Sequence, residues 1–200
     1  MTRPDVVVSD TNVLLSGTPR DFLLDAAQAD LVEVHWSSYI LTEVARHAPR
    51  RFRTDAAGAR ELVESLNRFF PDALVDPDER VIDFVRGLGR WPDPDDIEVV
   101  AADADMVITG DIGHFPPNLM GRLGIGTVRT GDLLSILIAV DPVPFLETFR
   151  RKAAKTTYEN VLGILVRSGA RQFAETIGEL TETDIPSQNL QWTHPKSCSE

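Results

Sequence analysis

The stretch that decides the fold is VVVSDTN, residues Val6–Asn12, close to the start of the chain. Three consecutive β-branched residues favour a buried strand. The strand ends at Asp10, Thr11 and Asn12, and such residues are common in turns. A turn is a sufficient explanation for one acid at one strand end. A functional role requires acids at the ends of other buried elements as well.

A second buried strand is predicted at Met106–Thr109, MVIT, which ends in Gly110 and Asp111. Shorter strands are predicted at 31–35 and 125–128, and amphipathic helical patterns separate all four. Strands that alternate with helices form a mostly parallel sheet with helices on both faces. We therefore predict an α/β fold: a Rossmann-like parallel sheet flanked by helices.

Three regions are predicted along the chain. Residues 1–140 carry the alternating pattern and form the sheet domain. Residues 141–182 are helical only, and they form an α-helical C-terminal extension. Residues 183–200 are polar, which predicts a disordered tail.

The composition restricts the class of protein. The 200 residues are 42% hydrophobic, which suits one globular domain with a sizeable core. The longest apolar run, 133–140, is too short to cross a bilayer. The first residues lack the apolar stretch of a signal peptide, and Cys198 is the single cysteine, so no intrachain disulfide can form. We predict a cytoplasmic protein that does not contact membranes.

The formal net charge of −11 argues against broad, nonspecific adhesion to nucleic acid. Acids gathered around metal ions would enter the same sum, so the charge leaves a metal site open. The basic residues are also uneven, with a cluster at Arg46, Arg50, Arg51 and Arg53. A solvated helix end explains this cluster as well as a phosphate-binding surface does.

Several acids fall where a parallel sheet gathers its ligands, beyond the carboxyl ends of the strands. Asp10 and Asp111 end two strands in the same manner. Glu43 borders the apolar face of a predicted helix. Asp95 and Asp96 occupy the first turn of another helix, where capping accounts for one of them.

If Asp10, Glu43, Asp96 and Asp111 converge, their charges need compensation. Like charges about 4 Å apart repel by about 4 kcal/mol at an intermediate dielectric constant. Such a cluster must bind protons or cations. Oxygen ligands without cysteine suit Mg²⁺ or Mn²⁺, ions that assist phosphodiester hydrolysis.

Four segments occur in the order found in PIN-domain ribonucleases: SDTNVLLSG, WSSYILTEVARH, WPDPDDIEVVAA and MVITGDIGHFP. The chain resembles this family, and within it the VapC-type toxins of bacterial toxin–antitoxin pairs. The resemblance covers about Asp5 to Leu134, and the helical C-terminal segment is similar to the extension of one VapC subgroup. Four motifs in order are far more specific than any one of them.

The resemblance implies a metal-dependent endoribonuclease that cuts RNA, binds Mg²⁺ or Mn²⁺, is often a dimer and pairs with an antitoxin protein. Asp10, Glu43, Asp96 and Asp111 match the family's four acids, with Asp95 as the alternative to Asp96. Asn12 and Thr109 match polar residues that orient the acids. The arginine cluster Arg46, Arg50, Arg51 and Arg53 is predicted to contact the RNA backbone.

Two departures from the family pattern bear on activity: the segment after Asp96 is short, and Ile97 and Glu98 stand where many relatives have basic or imidazole residues. The segment after Asp96 is about one helical turn short, so the chain could be a PIN-like module that binds RNA or protein with weak or no cleavage. An aspartyl-phosphate phosphohydrolase of haloacid dehalogenase type also begins with a strand and an acid. It requires a second aspartate where this chain has Asn12. His114 is predicted to be an ordinary loop residue.

Overall fold

The computed structural model describes residues 5–102 and 104–183. Its sheet has four parallel strands in the spatial order β2-β1-β3-β4, and the strands are β1 (Val6–Ser9), β2 (Glu33–His35), β3 (Met106–Thr109) and β4 (Gly126–Arg129). From β1 the chain crosses to β2 on one side, then returns to β3 on the other. The strand order therefore reverses between β1 and β3, and the predicted α/β fold is confirmed.

Pairing between β1 and β3 positions the acids at this reversal. Ser9 pairs with Ile108, and the backbone N–H of Asp10 donates to the carbonyl of Ile108 at 3.0 Å. Val7 and Val8 are buried, as expected for a strand covered on both faces. Asp10 and the residues after Thr109 therefore leave the sheet at the same edge.

Helices cover both faces of the sheet and form the C-terminal part of the chain. They are α1 (Thr11–Leu14), α2 (Thr18–Gln28), α3 (Ser38–Phe52), α4 (Ala56–Phe69), α5 (Glu79–Gly87), α6 (Asp96–Val100), α7 (Pro117–Leu123), α8 (Thr130–Val140), α9 (Val143–Ala153), α10 (Tyr158–Arg167) and α11 (Arg171–Thr183). Short 3-10 turns lie at Pro71–Ala73 and Ile112–His114. Within the described residues, no helix combines the length and the apolar character needed to cross a membrane.

Local sequence explains where α3 begins and which side it buries. The Ser37 hydroxyl caps the helix by accepting a hydrogen bond from the Ile40 backbone N–H at 3.2 Å. Ile40 and Val44 share one face, and both are fully buried. Glu43 borders this buried face, so its carboxylate starts near the sheet domain rather than in open solvent.

The C-terminal helices α9, α10 and α11 pack against α2 and α8 of the sheet domain. The ring of Phe173 on α11 meets Phe22 on α2 and Phe145 on α9, edge to face, with centroids 5.1 and 5.6 Å apart. Arg151 on α9 also forms an ion pair with Asp25 on α2. Aromatic burial and charge pairing together join the extension to the sheet domain.

The predicted boundaries lie close to the ends of these helices. Helix α8 ends at Val140, and α9 begins at Val143. Helix α11 ends at Thr183, the residue at which the tail is predicted to start. The rest of that predicted tail, 184–200, lies outside the described residues.

The contact between α8 and the start of α11 requires a glycine. A Cβ atom on Gly131 would lie 2.6 Å from the Ala170 Cα and 2.9 Å from the Gly169 carbonyl oxygen. These are backbone atoms that cannot move aside without shifting the helix. Close approach of the two helices therefore depends on the missing side chain at this position.

We expect Gly131→Ala to lower the free energy of unfolding by about 1–3 kcal/mol, because the added methyl group forces α11 away from α8. Denaturant unfolding would measure the change. Gly121→Ala is the matched control, since a Cβ atom there meets nothing within 4 Å. That change should leave stability equal or raise it by less than about 1 kcal/mol. Equal stability of the two variants would contradict the tight contact.

Candidate metal centre

Hydrogen bonds between the ends of β1 and β3 hold the carboxylate of Asp10. The Thr109 hydroxyl donates to Asp10 Oδ2 at 2.7 Å and accepts from the Asp111 backbone N–H at 3.0 Å. The Asn12 amide nitrogen also donates to Asp10 Oδ2, and the Asn12 Oδ1 accepts from the Gly110 backbone N–H at 2.8 Å. Thr109 and Asn12 therefore act together as a clamp on Asp10.

The side chain of Asp96 is the most deeply buried of the predicted acids. The residue is 7% exposed, and its Oδ2 atom is buried without a hydrogen bond. His114 Nδ1 lies 3.4 Å from this oxygen, which is ion-pair range for a protonated imidazole but long for a hydrogen bond. One oxygen of a buried carboxylate therefore lacks the partner that such an atom normally has.

The electrostatics of the two acids follow from this burial. Desolvation and, to a smaller extent, the negative charge of Asp10 together raise the pKa of Asp96 to about 7. Desolvation also raises the pKa of Asp10, and it outweighs the lowering effect of the hydrogen bond from Thr109. Without a cation the site disfavours two ionised carboxylates, and a bound cation would remove the conflict.

Glu43 lies on α3 with its side chain 16% exposed. Its carboxylate pairs with Arg46 and lies 3.5 Å from His47 Nε2, so its ion pairs stay within its own helix. Desolvation, a hydrogen bond to Asp95 and the charge of Glu43 all raise the pKa of Tyr39. Tyr39 therefore links α3, which carries Glu43, to the start of α6.

Asp111 occupies the open side of the cluster, with its side chain 64% exposed. Its Oδ1 accepts from the Gly113 backbone N–H at 3.1 Å, which begins the short 3-10 turn. Its Oδ2 lies 3.5 Å from His114 Nε2. Asp111 is thus the most exposed of the four predicted acids.

Asp95 and Asp96, the two candidates for the third acid of the site, have different surroundings. Asp95 is exposed and interacts with Tyr39, whereas Asp96 is buried in the electrostatic field of Asp10. Helix α6 is only five residues long, in line with the missing turn in the sequence. The short helix still leaves Asp96 beside Asp10.

The structure adds two residues that sequence reasoning did not select. Asp93, Asp96 and His114 each offer a ligand atom, and these atoms lie within 4.8 Å of one another. Sequence reasoning treated His114 as an ordinary loop residue, and the structure places its imidazole between Asp96 and Asp111. Its position three residues after Asp111, in a single turn, was the signal available in the sequence.

A comparison with protein-family models places residues 6–113 in the PIN domain. The chain belongs to the PIN domain family. PIN domains are generally nucleases that use divalent metal ions, and the acids described above lie within the matched region. The match ends before α7, so the C-terminal helices lie outside it. Searches of curated proteins and of solved structures found no match.

Burial of Asp96 in this PIN domain predicts a pH dependence of stability. In the folded protein the pKa of Asp96 is about 7, whereas the ordinary pKa of an aspartate side chain is 3.8. Asp96 therefore stays protonated to a higher pH in the folded state than in the unfolded state. The stabilising contribution is therefore complete below pH of about 4 and declines as the pH rises toward 7. The difference in pKa sets an upper limit of about 4 kcal/mol.

Urea unfolding of metal-free protein between pH 4.5 and 8 would measure this decline. We expect Asp96→Asn to reduce it, because the amide does not titrate. The comparison uses the slope with pH, so a constant destabilisation by the amide does not disturb it. Parallel profiles for the two proteins would show that Asp96 is not the titrating group.

Proposed function

We propose that this protein is a divalent-metal-dependent endoribonuclease that hydrolyses RNA phosphodiester bonds at the Asp10, Glu43, Asp96 and Asp111 cluster. The observation that carries the proposal is the buried oxygen of Asp96, which has no hydrogen bond and lies in the electrostatic field of Asp10. A carboxylate in that state raises the free energy of the metal-free protein, and a bound cation would offset this cost. Membership of the PIN domain family supports the same reaction class.

The residues present fit a divalent cation. Carboxylate oxygens from Asp10, Asp96 and Asp111 are ligands that Mg²⁺ and Mn²⁺ prefer, and Glu43 adds a fourth acid on α3. When bound, such an ion lowers the pKa of water and balances negative charge on the phosphate. Hydrolysis in this scheme involves no covalent protein intermediate.

The side chains of the chain itself position the reacting groups. Thr109 and Asn12 keep the Asp10 carboxylate in one orientation through the hydrogen bonds described above. The exposed Asp111 leaves the cluster open toward solvent, where a phosphodiester can enter. Asn12 is fully engaged as an amide between Asp10 and Gly110, so it cannot supply the proton transfer that a haloacid dehalogenase mechanism requires.

A path for the RNA backbone continues along α3. A cavity of about 570 Å³ is lined by His47, Arg50, Arg51, Arg53 and Leu15, the residue that follows α1. Glu43, His47 and Arg50 lie on one face of α3, so this basic cavity and the acidic cluster are neighbours along the helix.

Of the four arginines predicted to contact RNA, three have no acidic partner among the described residues. Arg46 pairs with Glu43, whereas Arg50, Arg51 and Arg53 form no ion pair with any described residue. The helix C-terminus favours positive charge and accounts for part of this clustering. In a chain with a net charge of −11, unpaired arginines beside an acidic centre also favour contact with phosphate.

We also propose that the protein is the toxin of a type II toxin–antitoxin pair, with a cognate antitoxin as its partner and a homodimer as its assembly. The support is the resemblance of the four sequence motifs to VapC-type toxins and the helical extension beyond residue 140. A toxin of this kind arrests growth through its nuclease activity, so one variant tests both proposals.

We expect Asp10→Asn to reduce RNA cleavage to background, because the amide removes the charge at the centre of the cluster. Cleavage of a single-stranded RNA would be measured with Mg²⁺, with Mn²⁺ and with EDTA. The folded state should persist, since Thr109 and Asn12 still surround the side chain. Asp72→Asn is the matched control, because Asp72 is exposed and outside the acidic cluster.

Retained metal-dependent cleavage in Asp10→Asn would remove Asp10 from the mechanism. If the unchanged, folded protein cuts no RNA with any ion, a binding module becomes the better description. Induced expression in a bacterial host extends the test to the toxin proposal. Growth arrest by the unchanged chain, and none by Asp10→Asn, is the expected outcome.

The arginine path predicts a change in salt dependence. We expect Arg50→Gln with Arg53→Gln to weaken binding of RNA to the Asp10→Asn protein and to reduce the slope of affinity against salt concentration by about one or two. Binding titrations at several salt concentrations give both quantities. Arg80→Gln with Arg90→Gln removes the same charge from exposed positions elsewhere, so an equal loss there would contradict a local path.

A further inference from the structure

The imidazole of His114 lies between two carboxylates of the cluster. Its Nδ1 is 3.4 Å from Asp96 Oδ2, and its Nε2 is 3.5 Å from Asp111 Oδ2. Both distances exceed the range of 2.7–3.2 Å for an ordinary N–H···O hydrogen bond. The ring therefore faces both oxygens without a hydrogen bond to either.

The backbone brings His114 to this place. The 3-10 turn Ile112–His114 follows Asp111 directly, and positions three apart in such a turn lie above one another. The Asp111 carboxylate accepts from Gly113 at the start of the turn, and Phe115 is buried at its end. Local geometry thus holds the imidazole at the acids without a direct bond to them.

The spacing of the donor atoms suits a cation. Ligand atoms of Asp93, Asp96 and His114 lie within 4.8 Å of one another. An octahedral ion with bonds of about 2.1 Å holds adjacent donors about 3 Å apart and opposite donors about 4 Å apart. The Asp96 Oδ2 atom is buried without a hydrogen bond and lies 3.4 Å from His114 Nδ1, and a cluster of surface carboxylates has no such buried oxygen.

We propose that His114 is a nitrogen ligand of the metal centre, together with Asp93 and Asp96, and that it gives the centre a preference for Mn²⁺ over Mg²⁺. The inference rests on the proposed metal centre and adds two ligands outside its four acids. Imidazole nitrogen binds transition-metal ions well, whereas Mg²⁺ prefers oxygen donors. One nitrogen donor is therefore enough to separate the two ions.

A simpler role for His114 would be that of a cationic partner to Asp96 and Asp111. Such a pair normally closes to about 2.7–2.9 Å, since charge-assisted hydrogen bonds are short. The separations of 3.4 and 3.5 Å leave room on both sides of the ring instead. A metal ligand and an ion-pair partner also differ in a property that spectroscopy detects directly.

Electron spin-echo envelope modulation of Mn²⁺ bound to the full chain tests the proposal, because a coordinated imidazole gives a nitrogen modulation. We expect this modulation in the unchanged protein and its loss in His114→Gln. The Mn²⁺ dissociation constant should rise at least about tenfold in that variant, and the Mg²⁺ constant by much less. His35→Gln is the matched control, since His35 interacts with Glu33 at the end of β2, outside the acidic cluster. His47→Gln tests the imidazole beside Glu43 as a rival nitrogen ligand.

A second variant covers the case that His114→Gln does not fold. His114→Asp replaces nitrogen by oxygen, so it should bind Mg²⁺ as well as Mn²⁺ and show no nitrogen modulation. Mn²⁺ binding without the modulation in the unchanged protein would overturn the inference and leave the nuclease proposal intact. Loss of the modulation in His47→Gln alone would also overturn it. Absence of any Mn²⁺ or Mg²⁺ binding would overturn both proposals.

Discussion

Desolvation of two neighbouring carboxylates is the constraint on which the site depends. Asp10 is held by Thr109 and Asn12, yet burial still raises its pKa. Asp96 has fewer partners and a pKa of about 7. Water would stabilise both charges, but the fold removes it. A bound cation would compensate these charges, and a packed sheet rather than the acids themselves maintains the geometry of the site.

The parallel sheet creates this situation through strand order. With β1 next to β3, residues that follow the two strands share one edge, and helices cannot cover the crevice where the order reverses. Thr109 connects the ends of β1 and β3, since its hydroxyl donates to the Asp10 carboxylate and accepts from the Asp111 backbone N–H. The register between β1 and β3 therefore fixes the positions of the Asp10 and Thr109 side chains. The C-terminal helices pack on α2 and α8 and leave this edge open.

Periodicity made the sheet predictable, and the strand-end positions of Asp10 and Asp111 predicted that both acids lie at one edge of it. Both follow from rules that act over a few residues or from the general behaviour of parallel strands. The choice between Asp95 and Asp96 depended on how α6 is rotated, which the motif did not encode. The position of the His114 imidazole depended on a 3-10 turn. The position of Asp93 depended on the path of a proline-rich loop. The docking of α11 required contact between Gly131 and Ala170, which are distant in the sequence.

The hydrogen bond from Thr109 to Asp10 spans 99 residues of sequence, and this separation has a consequence for synthesis. A ribosome adds about 5–20 residues per second, so Asp10 is made about 5–20 seconds before Thr109. During that interval the first strand has no β3 beside it, and the acidic edge does not exist. Helices α9–α11 are synthesised later still, and the contact between Phe22 and Phe173 can form only after α11 has been made. A nascent chain therefore carries Asp10 through 99 residues of synthesis before the strand end that binds its carboxylate exists.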